Sequence, residues 1–230
     1  MTVTDIKVTG SARDTRVPDR AELHLQISKW GRDWATTHRT VAASVGALSE
    51  AIKQLEVDSP QALYDHSIAQ VSQSTWSDEI GAAYAETVDV TMVFTDFQVM
   101  SDWIFAHSNE TVHIQGIDWQ LSPAAKNDLA ISLSVEAMRD ARRRAETYAV
   151  AAGLTIIGIN TIADPGLMGE PRNDPMPFAR VAAMKANASA DVIDITPSAI
   201  ETVAQVEAHF LAEPDPSATT YHAATRGMVG

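Results

Sequence analysis

The chain has 230 residues, 45% hydrophobic and 20% charged, the balance of a globular protein with a sizeable core. Its formal net charge of −13 opposes nucleic acid and anionic membrane surfaces as partners. Cysteine is absent, which excludes disulfides, thiolate catalysis and cysteine-based zinc sites together.

The opening MTVTDIKVTGSARDTR has neither the apolar run nor the early basic cluster of a signal peptide. No stretch approaches the ~18 apolar residues of a membrane-crossing helix. A cytoplasmic protein with no membrane insertion is expected. Residues 3–12 read as a first strand, and Val17-Pro18-Asp19 as a turn. Over residues 20–30, Ala21, Leu23, Leu25 and Ile27 alternate with Glu22, His24, Gln26 and Ser28. That is a strand with one buried and one wet face. A helix follows over about 33–55, its apolar stripe formed by Val41, Val45, Leu48, Ile52 and Leu55. Asp58-Ser59-Pro60 breaks it.

Residues 62–76 and 82–95 read as two antiparallel strands joined by a turn at 77–81. Val88, Val90, Met92 and Phe94 form the core face of the second. Asp96 can cap a short helix through about Ser108, with Phe97, Met100, Trp103 and Ile104 inward. In the strand at 111–121 the apolar phase changes around Gly116, a bulge signature.

Ser122 to Gly153 reads as one long helix. Ser122 suits the N-cap, Pro123 the first helical position and Gly153 a left-handed C-terminal residue. Leu129, Leu133, Ala137, Ala141, Ala145, Tyr148 and Ala152 make a continuous stripe, Ala-rich in its second half. Such a stripe permits close approach to a sheet. The other face carries Arg139, Arg142, Arg143 and Arg144 among Glu136, Asp140 and Glu146. Pairing at i,i+3 and i,i+4 accounts for much of this charge. A solvated or inter-subunit face is therefore expected rather than a nucleic-acid site. An apolar, buried strand follows at Leu154–Ile162. Residues 164–190, with five prolines and glycines before Pro177, form an irregular arm with a short helix near Phe178–Met184. Strict alternation returns at 200–211, and residues 213–230 read as a disordered tail.

The order is β-β-α-β-β-α-β-α-β-loop-β. It predicts an α+β fold, antiparallel sheets each packed on one face by helices. The β-α-β segments at about 20–76 and 82–121 suggest a diverged internal repeat. One domain over 1–212 is expected.

Three places carry a family resemblance. They are VTGSA followed by PDRAEL at 18–23; AMRDARRRAETYAVAAGLTIIGINTIAD at 137–164; and PMPFARVAAMKANA at 175–188 with ITPSAIETVAQVEAHF after it. Together they resemble the SIMPL-domain family, which includes bacterial periplasmic immunogenic and oxidative-stress-associated proteins. The resemblance implies an α+β fold and homo-oligomers, large and hollow in some members. It also implies links to stress responses or to a kinase-signalling partner. It supplies no catalytic residue set. Many bacterial members carry an export signal, a pattern from which this opening departs.

The chemistry-bearing residues assign no catalytic, cofactor-binding or metal site. The seven histidines make no HExxH pattern. His24, His113 and His209, all on the polar phase of strands, converge only if those strands are neighbours. Met168, Met176 and Met184 read as apolar anchors rather than copper ligands. Trp30, Trp34, Trp76, Trp103 and Trp119 read mainly as core or interface residues. No GxSxG, GxGxxG or P-loop occurs. The expectation is a non-catalytic homo-oligomeric assembly protein, with a stress-related setting. The alternatives are a protein- or ligand-binding module with the 164–190 arm as its lid, and, behind that, an enzyme.

Overall fold

The computed structural model describes residues 3–78, 81–167 and 196–216. Among them the elements run β1 (Thr4–Arg16), β2 (Arg20–Gly31), α1 (Trp34–Asp58), β3 (Leu63–Ile68), β4 (Ser72–Asp78), β5 (Gly81–Phe94), α2 (Phe97–His107), β6 (Val112–Gln120), α3 (Pro123–Ala151), β7 (Leu154–Ala163) and β8 (Ile200–Pro214). The fold is α+β, with antiparallel sheets and helices in the expected order. The chain gathers into two compact units. Among the described residues, one is built from 3–16, 123–167 and 201–216; the other from 17–78, 81–122 and 196–200.

The second unit holds a five-stranded sheet of order β3-β5-β2-β6, with β4 also paired to β5. Strand β2 is antiparallel to both β5 and β6, and β3 is antiparallel to β5. Strands β2 and β3 therefore run parallel with β5 between them, and β5 and β6 run parallel with β2 between them. These are two interleaved split β-α-β units, the topology behind the suggested repeat. Ala21, Leu23, Leu25 and Ile27 are at most 2% exposed. They join Val88, Val90, Met92 and Phe94, and the inner stripes of α1 and α2, in one core. Both helices pack on this same face.

Local chemistry sets the boundaries. Asp33 caps α1 by accepting the Thr36 N–H. Hydrogen bonding from Thr36 holds the Asp33 carboxyl below its ordinary pKa. Asp96 caps α2 by accepting from Gln98 and Val99 N–H groups. The bulge expected at Gly116 is present: His24 pairs with Gly116 and Leu25 with Ile114, leaving Gln115 over. The single strand expected at 62–76 is instead two. Ile68 pairs with Val90 and Ser72 with Thr87, so this side carries one extra residue, and pairing lapses between them.

The first unit is a three-stranded sheet of order β1-β8-β7 with α3 packed on it. Strands β7 and β8 are antiparallel. Between β1 and β8, Asp5 faces His209 and Arg13 faces Glu201, pairs that run in opposite directions along the two strands. The buried stripe of α3 is Leu129, Leu133, Ala137, Ala141, Ala145 and Ala149, spaced by four throughout. It ends on Ala149 rather than running through Tyr148 to Ala152, both of which are exposed. Gly153 takes φ 69°, the left-handed C-terminal residue expected.

Two expectations are corrected. The strand after α3 is not buried: in β7, Ile157, Ile159 and Ile162 are 49%, 45% and 57% exposed. Two bulges in β7 and its edge position account for this. The tail does not begin at 213, because Glu213 and Pro214 still pair with Thr155 and Leu154 at the end of β8. Of the five tryptophans, Trp30, Trp34 and Trp76 are exposed, while Trp103 and Trp119 join the core. Most of the 164–190 arm, with its short helix and Met168, Met176 and Met184, lies outside the described residues, as does the tail from 217.

Candidate functional site

Of the motifs that carried the resemblance, VTGSA, the stretch at 137–164 and the alternating run through Phe210 come together in the first unit; PDRAEL lies in the second, and 175–188 lies outside the described residues. A Cβ placed on Gly10 would stand 2.0 Å from the Ala137 carbonyl oxygen, 2.5 Å from the Ala141 nitrogen and 2.7 Å from the Ala141 Cβ. Only glycine admits α3 this close to β1. On either side of Gly10 the helix grips the strand backbone. The Ser11 N–H donates to Asp140 Oδ2 at 3.1 Å, and Arg144 Nη1 donates to the Thr9 carbonyl at 2.6 Å. Thr9 and Ser11, two residues apart, point these groups to the same side of β1, its outer edge. At these two positions the edge is occupied by helix side chains. The other arginines pair within α3: Arg139 with Glu136, Arg142 with Glu146 at 2.9 Å, and Arg143 with Asp140. The arginine run is a paired face, as expected, with one role in addition: Arg144 reaches the strand.

The opposite edge of the sheet, β7, is different. Its sequence LTIIGINTIA contains no charge and no proline. Ile156, Ile159 and Ile162 pair with Ala212, Phe210 and Ala208, so they share the face on which α3 packs. Bulges that leave Ile157 and Asn160 unpaired permit that spacing of three. Ile156 packs into the core, but Ile159 and Ile162 extend the same apolar row into the open.

In the second unit, Glu86 is the one charged side chain that is buried among the described residues, at 1% exposed. His38 Nδ1 lies 3.1 Å from both of its carboxylate oxygens, and Gln73 Nε2 donates to Oε1 at 2.7 Å. Trp34 stacks on the His38 ring at 5.2 Å between centroids, with the planes 4° apart. A buried carboxylate needs such partners. The cluster ties α1 to β4 and β5 and leaves the His38 ring half-exposed. Sequence reading passed over Glu86, although one signal was present: it stands in phase with Val88, Val90, Met92 and Phe94.

The wet face of this sheet is a lattice of polar side chains. His24 Nε2 meets Asp118 Oδ2 at 3.1 Å, Gln26 Nε2 donates to Asp89 at 3.1 Å, and Gln120 donates to Glu22. Arg20 lies 3.4 Å over the Tyr64 ring. At the corner where β2 follows its turn, Asp19 accepts from the Ser122 N–H. Burial pushes the Asp19 carboxyl up, but hydrogen bonds from Ser122 and the charge of Arg20 prevail and hold it below the ordinary value.

The three strand histidines are divided between the two units. His24 and His113 lie on β2 and β6. His209 lies in the other unit, 3.1 Å from Asp5 and 3.2 Å from Asn160. Among the described residues no three His, Cys, Asp or Glu side chains gather as a metal site requires. Nor, among them, is any helix long and apolar enough to cross a membrane.

An α+β chain with a split β-α-β unit, and a second sheet locked by a glycine-to-helix contact, is the class of protein these features define. The model of the SIMPL family, described as proteins of unknown function (DUF541), matches residues 6–210, and the chain belongs to this family. No curated protein matches it.

Proposed function

We propose that this is a non-catalytic, self-assembling protein in which copies meet through the β7 side of the three-stranded sheet. The observation that carries the reading is the contrast between the two edges of one sheet. The β1 edge is occupied at its middle, at Thr9 and Ser11, by Arg144 and Asp140. The β7 edge has no charge or proline to discourage a partner, and its apolar row continues into solvent. Exposed apolar strand edges are ordinarily blunted in proteins that stay apart. The bulges at Ile157 and Asn160 interrupt a regular backbone ladder, so side-chain burial supplies most of the contact. The 164–190 arm lies outside the described residues from 168 onward. A stress-related role enters only through the family likeness.

The test is mass by light scattering across a wide concentration range, for the native chain and for Ile159→Lys/Ile162→Lys. The native chain is expected to run as a multiple of 24.8 kDa and the variant as a single copy. A native chain that stays monomeric throughout would sink the reading.

A further inference from the structure

We propose that the Trp30 end of the wet sheet face is a groove for a neutral oligosaccharide. Trp30 is 64% exposed, the highest value among the described tryptophans. Its cross-strand partner is Ala85, so only a methyl group stands beside it on β5. Trp76, 44% exposed, sits opposite Ala83 on the far side of β5 and on the same face. Two indoles therefore flank β5, where Ala85 is partly exposed and Ala83 is buried beside Trp76. Helices α1 and α2 pack on the other face and leave this one uncovered.

Beside Trp30 the surface sinks into an open depression of about 400 Å³, lined also by Gln26, Ser28, Thr87, Glu110 and His113. Ser28 and Thr87 are direct partners, and so are Gln26 and His113, so hydroxyl, amide and imidazole groups stand in adjoining rows. The Gln26 amide is fixed by Asp89, and its carbonyl oxygen lies 3.4 Å from Gln115 Nε2.

The lining selects among ligand classes. Glu110 borders the depression and opposes an anion. A wholly apolar ligand would offer the Ser28 and Thr87 hydroxyls and the His113 imidazole no partner. A pyranose ring satisfies both parts of the site. Its C–H face lies on an indole, which is apolar in its body. Its hydroxyls, each donor and acceptor, meet Gln26, Ser28, Thr87, Glu110 and His113. The depression is open and shallow, so it fits a stretch of a sugar chain rather than one engulfed ring, and affinity in the millimolar range or somewhat tighter follows.

The experiment uses the full chain, with binding read by calorimetry and by the indole N–H signals in NMR. The probes are cellohexaose, chitohexaose and maltohexaose, with choline as a cationic comparison. At least one hexasaccharide is expected to bind and to shift the Trp30 signal. Trp30→Ala is expected to weaken that binding about tenfold or more, and Trp30→Phe less. Because Trp30 is exposed, both variants should keep the native circular dichroism, which is checked alongside. No binding by any hexasaccharide at millimolar concentration overturns the proposal. So does binding that survives Trp30→Ala, or capture of choline in place of the sugars.

Discussion

Replacing Gly10 by alanine tests the central contact of the three-stranded sheet. The added methyl would meet the Ala137 carbonyl oxygen at 2.0 Å and the Ala141 nitrogen at 2.5 Å, both backbone atoms of α3. No rotamer change relieves backbone, so helix and strand must separate by roughly an ångström to restore contact distance. Overpacking of this kind costs about 3 kcal/mol or more. Separation also lengthens the Ser11–Asp140 and Thr9–Arg144 hydrogen bonds, each worth about 0.5–1 kcal/mol at an exposed edge. The expected loss is about 4 kcal/mol, a large share of an ordinary domain's stability. Urea unfolding followed by circular dichroism measures it, the midpoint falling with little change in slope for this unit. A second variant sharpens the test. Ala141→Gly removes one of the three close atoms and leaves both backbone clashes, so it should not rescue Gly10→Ala. A loss below about 0.5 kcal/mol, the range of ordinary surface changes, would refute the reasoning. Rescue by Ala141→Gly would refute it too.

Asp19→Asn should cost about 0.5–1 kcal/mol at neutral pH, with solvent screening keeping the figure small. Its folded carboxyl lies below the ordinary 3.8, so the contribution is present above that value and lost as pH falls below it. Urea midpoints at stepped pH should therefore converge for native and variant chains in acid; parallel curves would contradict this. His38→Ala should cost about 1–2 kcal/mol, because Glu86 keeps only Gln73 as donor in a buried place. In a Glu86→Gln background the same change should cost little. A double-mutant cycle checks this, and additivity of the two losses would mean the pair is not coupled.

How much was legible follows from which periodicities were clean. Strand β2 and helices α1 and α2 were readable because one face of each is apolar at the proper spacing, with Asp96 placed as a cap for α2; the Asp33 cap of α1 was not singled out. The bulge at Gly116 showed as a change of phase. Strand β7 misled because LTIIGINTIA is apolar in composition, and composition does not reveal that two bulges and an edge position leave its isoleucines exposed. The role of Gly10 was invisible locally: a glycine in a strand can mark a bulge or a close approach, and its partner lies more than a hundred residues away. Glu86 was hidden for a similar reason, since the partners that make its burial tolerable come from α1 and β4. The wet-face groove depends on register, which places Trp30 beside Ala85 and Trp76 beside Ala83, and register is a property of pairing rather than of either strand.

The way the chain is divided between the two units orders its folding. The five-stranded sheet uses strands drawn from one continuous run, Val17–Ser122, so it can form as soon as that run has been synthesised. Strand β1 is made before all of it but has no sheet to join until β8, at Ile200–Pro214, arrives. During that interval β1 is an unpaired strand, and α3 is its earliest available partner, through the seat at Gly10. Closing so long a loop is slow. A helix that already holds β1 at Thr9 and Ser11 shortens the search to the docking of β8 against an assembled pair. Loss of the Gly10 seat would then be felt first in the rate of refolding of this unit.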